Sequence, residues 1–232
     1  MAHRSPRSRL TSEQRPDRKQ DILLAAEKLF AQHGYHAVSI RQIAQEAGVP
    51  LALVGYYYGQ KHELFDAIFA HWSGTIEERL AALRQVVNDP QDPKVLQRIT
   101  EAFIQPVLRL RASAEGEYYA LLIARELAHV REETDRVLSA YFDPMAHAFI
   151  DAFAQALPHA SRGEVAWCYQ FALGALLHHL SDSRIERLSR GQSHAGDPAG
   201  GQLLANFIAG GIRAALPAPT SLPVSKPKRR ST

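Results

Sequence analysis

Apolar residues recur every three to four positions through most of this chain, the spacing that places them on one face of an α-helix. Turn-forming residues divide this pattern into segments. The segments predict about nine helices, at about residues 17–33, 40–47, 50–58, 61–87, 94–111, 117–129, 132–157, 162–182 and 202–216. No stretch alternates apolar and polar residues as a half-buried strand does, so the sequence predicts an all-α protein.

Two boundaries in this scheme depend on specific patterns. The segment 61–87 predicts one long helix, because apolar residues from Leu64 to Ile76 follow each other at intervals of four. The glycine-rich residues 191–201 predict a loop before the last helix.

The segment from Ser39 to Leu64 has the outline of a helix-turn-helix. Ser39 is a favourable N-cap, and Gln42 occupies the capping-box position three residues later. Gly48 follows the last apolar residue of the first helix, where a left-handed backbone often ends a helix. Pro50 suits the start of the next helix because its missing N–H has no partner there in any case. Such a motif lays its second helix in the major groove of DNA.

Charge is unevenly distributed along the chain. The net charge is +3, but residues 1–20 and 221–232 each carry +4, which leaves −5 between them. Residues 1–16 predict a flexible basic arm and residues 217–232 a disordered basic tail. Beside a helix-turn-helix, the arm favours contact with phosphates. For the tail, phosphate contact and a solubilising role remain equal alternatives.

The remaining chain divides into a three-helix head, residues 17–60, and a larger helical body, residues 61–216. No apolar run reaches the length of a membrane span, and the basic N-terminus lacks the apolar core of a secretory signal. Together these features predict a cytoplasmic protein without membrane contact. The single cysteine, Cys168, lies in an apolar helix, which favours a packed, inert thiol over a reactive one.

Five short motifs in the first 64 residues belong together: Leu29-Phe30 with Gly34-Tyr35, Ser39 to Ala44, Ala47-Gly48-Val49, Tyr56-Tyr57-Tyr58, and Lys61 with Leu64. In combination they resemble the DNA-binding head of the TetR family of bacterial transcriptional regulators, over about a fifth of the chain. Three positions depart from the sub-pattern of similar members. Pro50 and Gly55 stand where asparagine is usual, and Gln60 replaces a small capping serine. The operator sequence therefore cannot be transferred from relatives.

The resemblance implies a homodimer joined through the helices at about 162–182 and 202–216. It also implies a palindromic double-stranded DNA operator and a small-molecule effector, which binds in the body, shifts the fourth helix and respaces the heads. A head that occupies a promoter favours repression, although activation remains open. The two helices contain small residues compatible with close packing, namely Ala172, Gly174, Ala175, Ala209, Gly210 and Gly211.

The residues expected to contact DNA are Arg18, Ser39, Arg41, Gln42, Pro50, Leu51, Ala52, Leu53, Gly55, Tyr56, Tyr57 and Lys61. Arg41 lies opposite the apolar face of its helix, and its guanidinium suits the O6/N7 edge of guanine. Leu51 to Leu53 cannot all face the core, since consecutive helical residues point in different directions. One or two of them are therefore expected at the surface, where they can meet thymine methyl groups. Val54 and Tyr58 are assigned to packing.

Lys61 is expected to anchor the head on the DNA backbone. A cation in the first turn of a helix opposes the helix dipole, at a cost of about 0.3–1 kcal/mol. A DNA phosphate at the same helix N-terminus accounts for this placement, because it accepts both the ammonium group and the free N–H groups.

The candidate effector contacts lie on the middle helices and are Phe103, Val107, Tyr118, Leu122, Glu126, Phe149, Trp167, Phe171 and His178. Each of them taken alone is better explained by core packing. Their mostly apolar character indicates a hydrophobic or amphipathic effector. His178 and His179 with Asp182 offer metal-binding groups from one helical turn, but nothing else supports a metal site there.

Two other classes of function are alternatives to DNA binding, namely an enzyme and a helical adaptor. An enzyme needs a nucleophile with its base, paired acids or a cofactor motif, and the sequence shows none at credible spacing. No catalytic residue, cofactor or metal is therefore expected. A helical adaptor leaves the pattern between Ser39 and Leu64 and the basic arm unexplained.

Overall fold

A computed structural model of the protein describes residues 17–128 and 132–219. All regular elements in these ranges are helices, which confirms the all-α prediction. The helices are α1 (Arg18–His33), α2 (Ile40–Glu46), α3 (Leu51–Tyr58), α4 (Lys61–His71), α5 (Ser73–Arg84), α6 (Val95–Ala112), α7 (Glu117–Ala128), α8 (Glu132–Ala156), α9 (Arg162–Ser181), α10 (Ile185–Leu188) and α11 (Pro198–Ala215). The predicted basic arm, and all but the start of the predicted tail, lie outside the described residues.

The first three helices pack on one another and on α4. Asp17 caps α1, because its carboxylate accepts hydrogen bonds from the backbone N–H groups of Lys19 and Gln20. The α1 face that carries Ile22 and Phe30 is fully buried against these neighbours. This packing fixes where α2 and α3 stand on the surface.

The predicted long helix at 61–87 is wrong, because the chain divides at Trp72 into α4 and α5. The Trp72 backbone has φ −96° and ψ 7°, outside the usual helical region. Ser73 and Thr75 donate their hydroxyls to the backbone oxygens of Ala70 and Trp72 at 2.9 and 2.8 Å. Such side-chain bonds compete with helix formation, and Gly74 between them weakens it further.

The larger part of the core lies between α5, α6, α7, α8 and α9, with α11 packed on α6 and α9. Phe103 on α6, Phe149 and Phe153 on α8, and Val165 on α9 are completely buried there. Helix α7 also packs along α1, so it joins the first helices to the rest of the protein. None of the helices in the described ranges combines the length and hydropathy needed to cross a membrane.

The segment before the last helix also differs from the prediction. The short helix α10 lies in a stretch with no predicted element, and α11 begins at Pro198, inside the predicted loop. Asp197 caps α11 by accepting the N–H of Ala199 at 2.8 Å. An aspartate followed by proline is a helix-start signal that outweighs the glycines after it. With the division at Trp72, the described ranges contain eleven helices instead of about nine.

Candidate DNA-binding face and ligand cavity

The turn between α2 and α3 is held by local hydrogen bonds. The hydroxyl of Ser39 accepts the Gln42 N–H at 3.3 Å, and the Ser39 N–H donates to the Gln42 side-chain oxygen at 2.8 Å. The predicted capping box is therefore confirmed. Gly48 has φ +63°, a left-handed conformation that glycine adopts without strain. Pro50 stands one residue before α3, at the N-cap, and not within its first turn.

Successive residues of helix α3 differ in how deeply their side chains are buried. Val54 is completely buried, whereas Leu51 is 47% exposed and Ala52 is exposed too. Leu53 is half-buried against the core. Two of the three consecutive apolar residues thus face outward, as expected from the helical repeat.

The three tyrosines of α3 divide by position. Tyr56 is 78% exposed and Tyr57 is 37% exposed, and their rings meet edge to face with centroids 5.1 Å apart. Tyr58 is half-buried, and its hydroxyl donates to the backbone oxygen of Lys19 at 2.8 Å, which ties α3 to α1. Burial raises the pKa of Tyr58 to about 12. Tyr58 therefore packs, whereas Tyr56 and Tyr57 are open to a partner.

The remaining candidates in the head, Arg41, Gln42, Arg18 and Gly55, are also exposed. Arg41 and Gln42 are exposed on α2, although the Gln42 side-chain oxygen is engaged in the capping box. Arg18 is exposed at the start of α1 and lies 3.8 Å from the carboxylate of Asp21. Gly55 is exposed in α3, with no atom within 4 Å of the position that a Cβ would take. A surface can therefore approach the α3 backbone closely at Gly55.

Lys61 is half-buried at the start of α4. Its Nζ lies 4.3 Å from the centre of the Tyr35 ring and 5.9 Å from that of Phe30, and burial lowers its pKa. The carboxylate of Glu63 accepts the Gln60 N–H at 2.6 Å. One N–H at this helix start is therefore already bound, and the aromatic rings fix the direction of the Lys61 side chain.

The first helix is joined to the body by a buried polar contact. The indole N–H of Trp72 donates to the Glu27 carboxylate at 2.7 Å, and the Trp72 ring stacks on Tyr119 with centroids 5.3 Å apart. Burial raises the pKa of Glu27 to about 7. Nearby, Arg125 donates to the backbone oxygen of Gln32 at 3.1 Å. Helices α1, α4, α5 and α7 are thus tied together at one point.

A cavity of about 410 Å³ lies within the body. Its walls come from α5 to α9 and are mostly aliphatic and aromatic, with Ile76, Val107, Ile123, Phe142, Met145 and Leu176 among them. This volume falls in the range of pockets for small molecules. The lining begins at Thr75, three residues after Trp72.

One buried charge, Arg79 of α5, lines this cavity. Its side chain is 6% exposed, and its guanidinium carbon lies 4.6 Å from the centre of the Phe103 ring. Its Nε and Nη2 atoms have no hydrogen-bond partner among the described residues. Burial lowers the pKa of Arg79 to about 10, so it is charged at neutral pH. The sequence did carry a signal for it, since Arg79 follows Ile76 by three residues on the apolar side of its helix.

The predicted effector contacts fall into three groups. Val107 lines the cavity, and Phe103 and Phe149 lie under the Arg79 guanidinium. Tyr118, Leu122 and Glu126 are half-buried or buried in α7 but do not line this cavity, and Glu126 accepts the Tyr35 N–H at 3.5 Å. Trp167, Phe171 and His178 are exposed. The last six therefore do not line this cavity.

Helices α9 and α11 expose an apolar strip, which we call the α9–α11 face. It consists of Trp167, Phe171 and Gly174 on α9 and Leu203, Phe207 and Gly210 on α11. The four large side chains are 65–70% exposed. Ala172 and Ala209, two of the small residues expected to allow close helix packing, are instead buried in the core of the chain.

The remaining candidates for metal binding or reactivity are the histidine pair with Asp182, and the cysteine. His178 contacts the carboxylate of Asp182 at 3.1 Å, and Arg184 binds the same carboxylate at 2.5 Å. No three His, Cys, Asp or Glu side chains converge on a common point within 17–128 and 132–219. Cys168 is buried, and burial raises the pKa of its thiol.

Two protein-family models match the chain. The model described as bacterial regulatory proteins, tetR family, covers residues 22–68. The model described as tetracyclin repressor-like, C-terminal domain, covers residues 101–211. The first match contains α2 and α3, and the second contains most of the cavity walls and the α9–α11 face.

Comparison with known proteins agrees with these models. The HTH-type transcriptional regulator BetI of Yersinia pestis (strain Pestoides F) is 32% identical over 107 residues, which make up 44% of this chain and 45% of that protein. The chain therefore matches less than half the length of this curated relative.

Solved structures share the architecture over a greater length. The fatty acid degradation regulator FadR from Bacillus halodurans aligns with a TM-score of 0.58 at 16% identity, covering 86% of this chain and 98% of that one. A transcriptional regulator from Saccharomonospora viridis in complex with choline aligns with a TM-score of 0.55 at 17% identity, covering 84% and 96%. At these identities the match shows a common fold.

Proposed function

The chain belongs to the TetR family of bacterial regulatory proteins, and we propose that it is a ligand-responsive transcriptional regulator that acts as a repressor. It binds a palindromic DNA operator as a homodimer and releases it when a small hydrophobic or amphipathic effector occupies the body. Residues 17–60 bind DNA in this proposal, and residues 61–216 bind the effector and the second copy. One observation carries it, namely the capped helix-turn-helix that buries Val54 and turns Arg41, Leu51 and Tyr56 outward.

The outward face of α2 and α3 supplies the two kinds of contact that a DNA reader needs. Arg41 matches the acceptor edge of guanine, and the exposed Leu51 and Ala52 match thymine methyl groups. The hydroxyls of Tyr56 and Tyr57 reach phosphates or base edges from the same helix. Lys61, held against the Tyr35 ring, supplies a positive charge at the end of this face.

The α9–α11 face supports the homodimer. Monomeric soluble proteins rarely expose large contiguous apolar patches, so such a strip marks an interaction surface. Gly174 and Gly210 leave open space above their Cα atoms, which lets two helix pairs approach closely in a four-helix interface. A two-fold axis through this face matches a palindromic operator.

The contact between Glu27, Trp72 and Tyr119 offers a path for release. Helices α4 and α5 meet at Trp72, and the cavity wall on α5 begins at Thr75. An effector that displaces α5 therefore displaces Trp72, which is hydrogen-bonded to α1 through Glu27. The coupling thus runs through a contiguous set of packed groups.

A measurement of DNA binding distinguishes this proposal from its two alternatives, an all-α enzyme and a helical adaptor. The probe is duplex DNA from the region upstream of the protein's own gene, read by fluorescence anisotropy at several salt concentrations with unrelated duplex as competitor. A regulator binds a segment of that DNA selectively, and the affinity falls steeply with salt. Absence of selective binding together with a turnover activity supports the enzyme, and absence of both supports the adaptor.

Substitutions of Lys61 and Arg41 are expected to have different effects on DNA binding. Lys61→Ala should weaken binding to operator and unrelated duplex alike and lower the slope of log affinity against log salt by about 1, because it removes one phosphate contact. Arg41→Ala should cost about 1–3 kcal/mol on the preferred sequence and alter which base is preferred. The measurements are salt titrations and a panel of single-base operator variants.

Lys94→Ala is the matched control, since it removes an exposed lysine at the N-cap of α6, outside the head. It should leave both the affinity and the salt slope unchanged. If both head variants bind every duplex like the parent, neither residue contacts DNA.

A further inference from the structure

The cavity in the body holds a charge that the fold does not neutralise. Arg79 is buried, lines the cavity and has two N–H groups without a partner among the described residues. We propose that the effector is an anionic amphiphile, whose carboxylate binds Arg79 while its apolar part fills the cavity. This inference rests on the proposed function in one respect, since it calls the bound molecule an effector of DNA binding.

The geometry of the free N–H groups selects the carboxylate. Nε and Nη2 of an arginine lie on the same edge of the guanidinium plane. Their two N–H bonds are parallel and match the two oxygens of a carboxylate. On Arg79 these are the two atoms that lack partners, while the ring of Phe103 covers the guanidinium from one face. Both atoms are covered by neighbouring groups, so a carboxylate binds this unpaired edge when those groups move aside.

Arg79 is buried without a hydrogen-bond partner for two of its N–H groups, and a purely structural role does not explain this arrangement. An unpaired charge in a protein interior is destabilising, and native proteins normally pair it. The groups whose charge acts on Arg79 are Tyr169 and Tyr119, and burial raises the pKa of both hydroxyls, so they are neutral at pH 7. An anion in the cavity supplies the missing partner.

The other lining groups set the polarity of the rest of the molecule. Asp143 and His147 also line the cavity, but both are exposed to solvent. The other lining residues are mostly aliphatic, as with Ile76 and Leu176. The structure therefore disfavours a cation such as the choline bound in the Saccharomonospora viridis structure, which would place two positive charges together in a desolvated site.

Alkyl compounds that differ only in their head group test this proposal. The probes are octanoate, 1-octanol and octylammonium, with the six- and ten-carbon homologues of each, titrated calorimetrically into the full chain without DNA. In the parent protein, octanoate should bind about 10- to 100-fold more tightly than 1-octanol, the contribution of hydrogen bonds to a charged group. Octylammonium should bind most weakly. Equal affinities, the reverse order, or no binding by any homologue overturns the proposal.

Three variants locate the preference. Arg79→Met keeps the side-chain volume and should abolish the preference for octanoate while 1-octanol still binds. Arg79→Lys keeps the charge but loses the paired N–H edge, so it should retain a reduced preference. Arg84→Met removes an exposed arginine from the same helix and should behave as the parent. A preference that survives in Arg79→Met places the anion elsewhere and refutes the assignment.

Stability without ligand separates a binding role from a structural one. Arg79→Met without ligand should melt at or above the temperature of the parent, because the unpaired buried charge is gone. A variant that unfolds shows instead that the guanidinium holds the core, which contradicts the proposal. Since these measurements contain no DNA, failure of operator binding leaves them standing. Conversely, operator binding without carboxylate preference refutes only the inference about Arg79.

Discussion

Phe207→Glu is expected to convert the protein into a monomer and to weaken binding to a full palindromic operator by about 100- to 10,000-fold, the gain that joining two binding units provides. Phe207 is 70% exposed in the α9–α11 face, and Gly210 and Gly211 follow it by three and four residues on the same helix. A two-fold interface brings the same residue in from both copies, so the variant buries two carboxylates without partners. Light scattering coupled to gel filtration and operator titration measure the two effects.

Val87→Glu is the control for this variant. Val87 is 76% exposed in the loop after α5 and is not part of the α9–α11 face. The substitution adds the same charge to an apolar surface position. It should remain dimeric and bind the operator like the parent. Helical content should be unchanged in both variants, because neither side chain is buried within the chain. A dimeric Phe207→Glu protein with unaltered operator affinity shows that the copies associate through another surface.

Local rules explain why the head was predictable from sequence. Ser39 with Gln42 and the left-handed Gly48 are each determined by residues within one turn, so the pattern specified their structure directly. The expectation that one or two of the residues from Leu51 to Leu53 face outward followed from the helical repeat alone. The DNA contacts assigned to this face depend on a partner and remain predictions.

The body contains the features that sequence patterns did not show. Periodicity predicted one helix through Trp72, but the ring of this residue is held by Glu27, 45 positions earlier in the chain. Apolar residues at helical spacing around Phe171 are expected both for a helix face in the core and for one at the surface. The packing of α9 against α11 decides which residues face outward. The spacing places Arg79 on the apolar side of α5, but residue type alone assigns an arginine to the surface, so the two signals conflict there.

Glu27 is the group whose titration should most affect stability. It is 1% exposed and forms no ion pair with a cation among the described residues. The neutral indole N–H of Trp72 and the backbone N–H of Tyr119 donate hydrogen bonds to its carboxylate. Burial raises its pKa from 4.5 to about 7. The folded protein therefore prefers the protonated acid, whereas the unfolded chain releases the proton near pH 4.5.

The direction of the effect follows from this difference. Below pH 4.5 the acid is protonated in both states, and its contribution to stability is fully present. As the pH rises towards 7 the unfolded chain binds fewer protons than the folded one, so this contribution is lost. The shift corresponds to about 3 kcal/mol of unfolding free energy across that window.

Glu27→Gln should remove this dependence while keeping an oxygen that accepts the Trp72 indole N–H. Urea unfolding of parent and variant from pH 4.5 to 8 should give similar free energies at the acidic end. The variant should become more stable by up to about 3 kcal/mol at the alkaline end. Comparing the two proteins cancels the contributions of all titratable groups that they share. The exposed Glu77→Gln, which removes the same charge from the surface of α5, should track the parent throughout. Parallel curves for parent and Glu27→Gln would show that Glu27 is ionised in the folded protein, and that the junction between α1 and Trp72 is held by a charge.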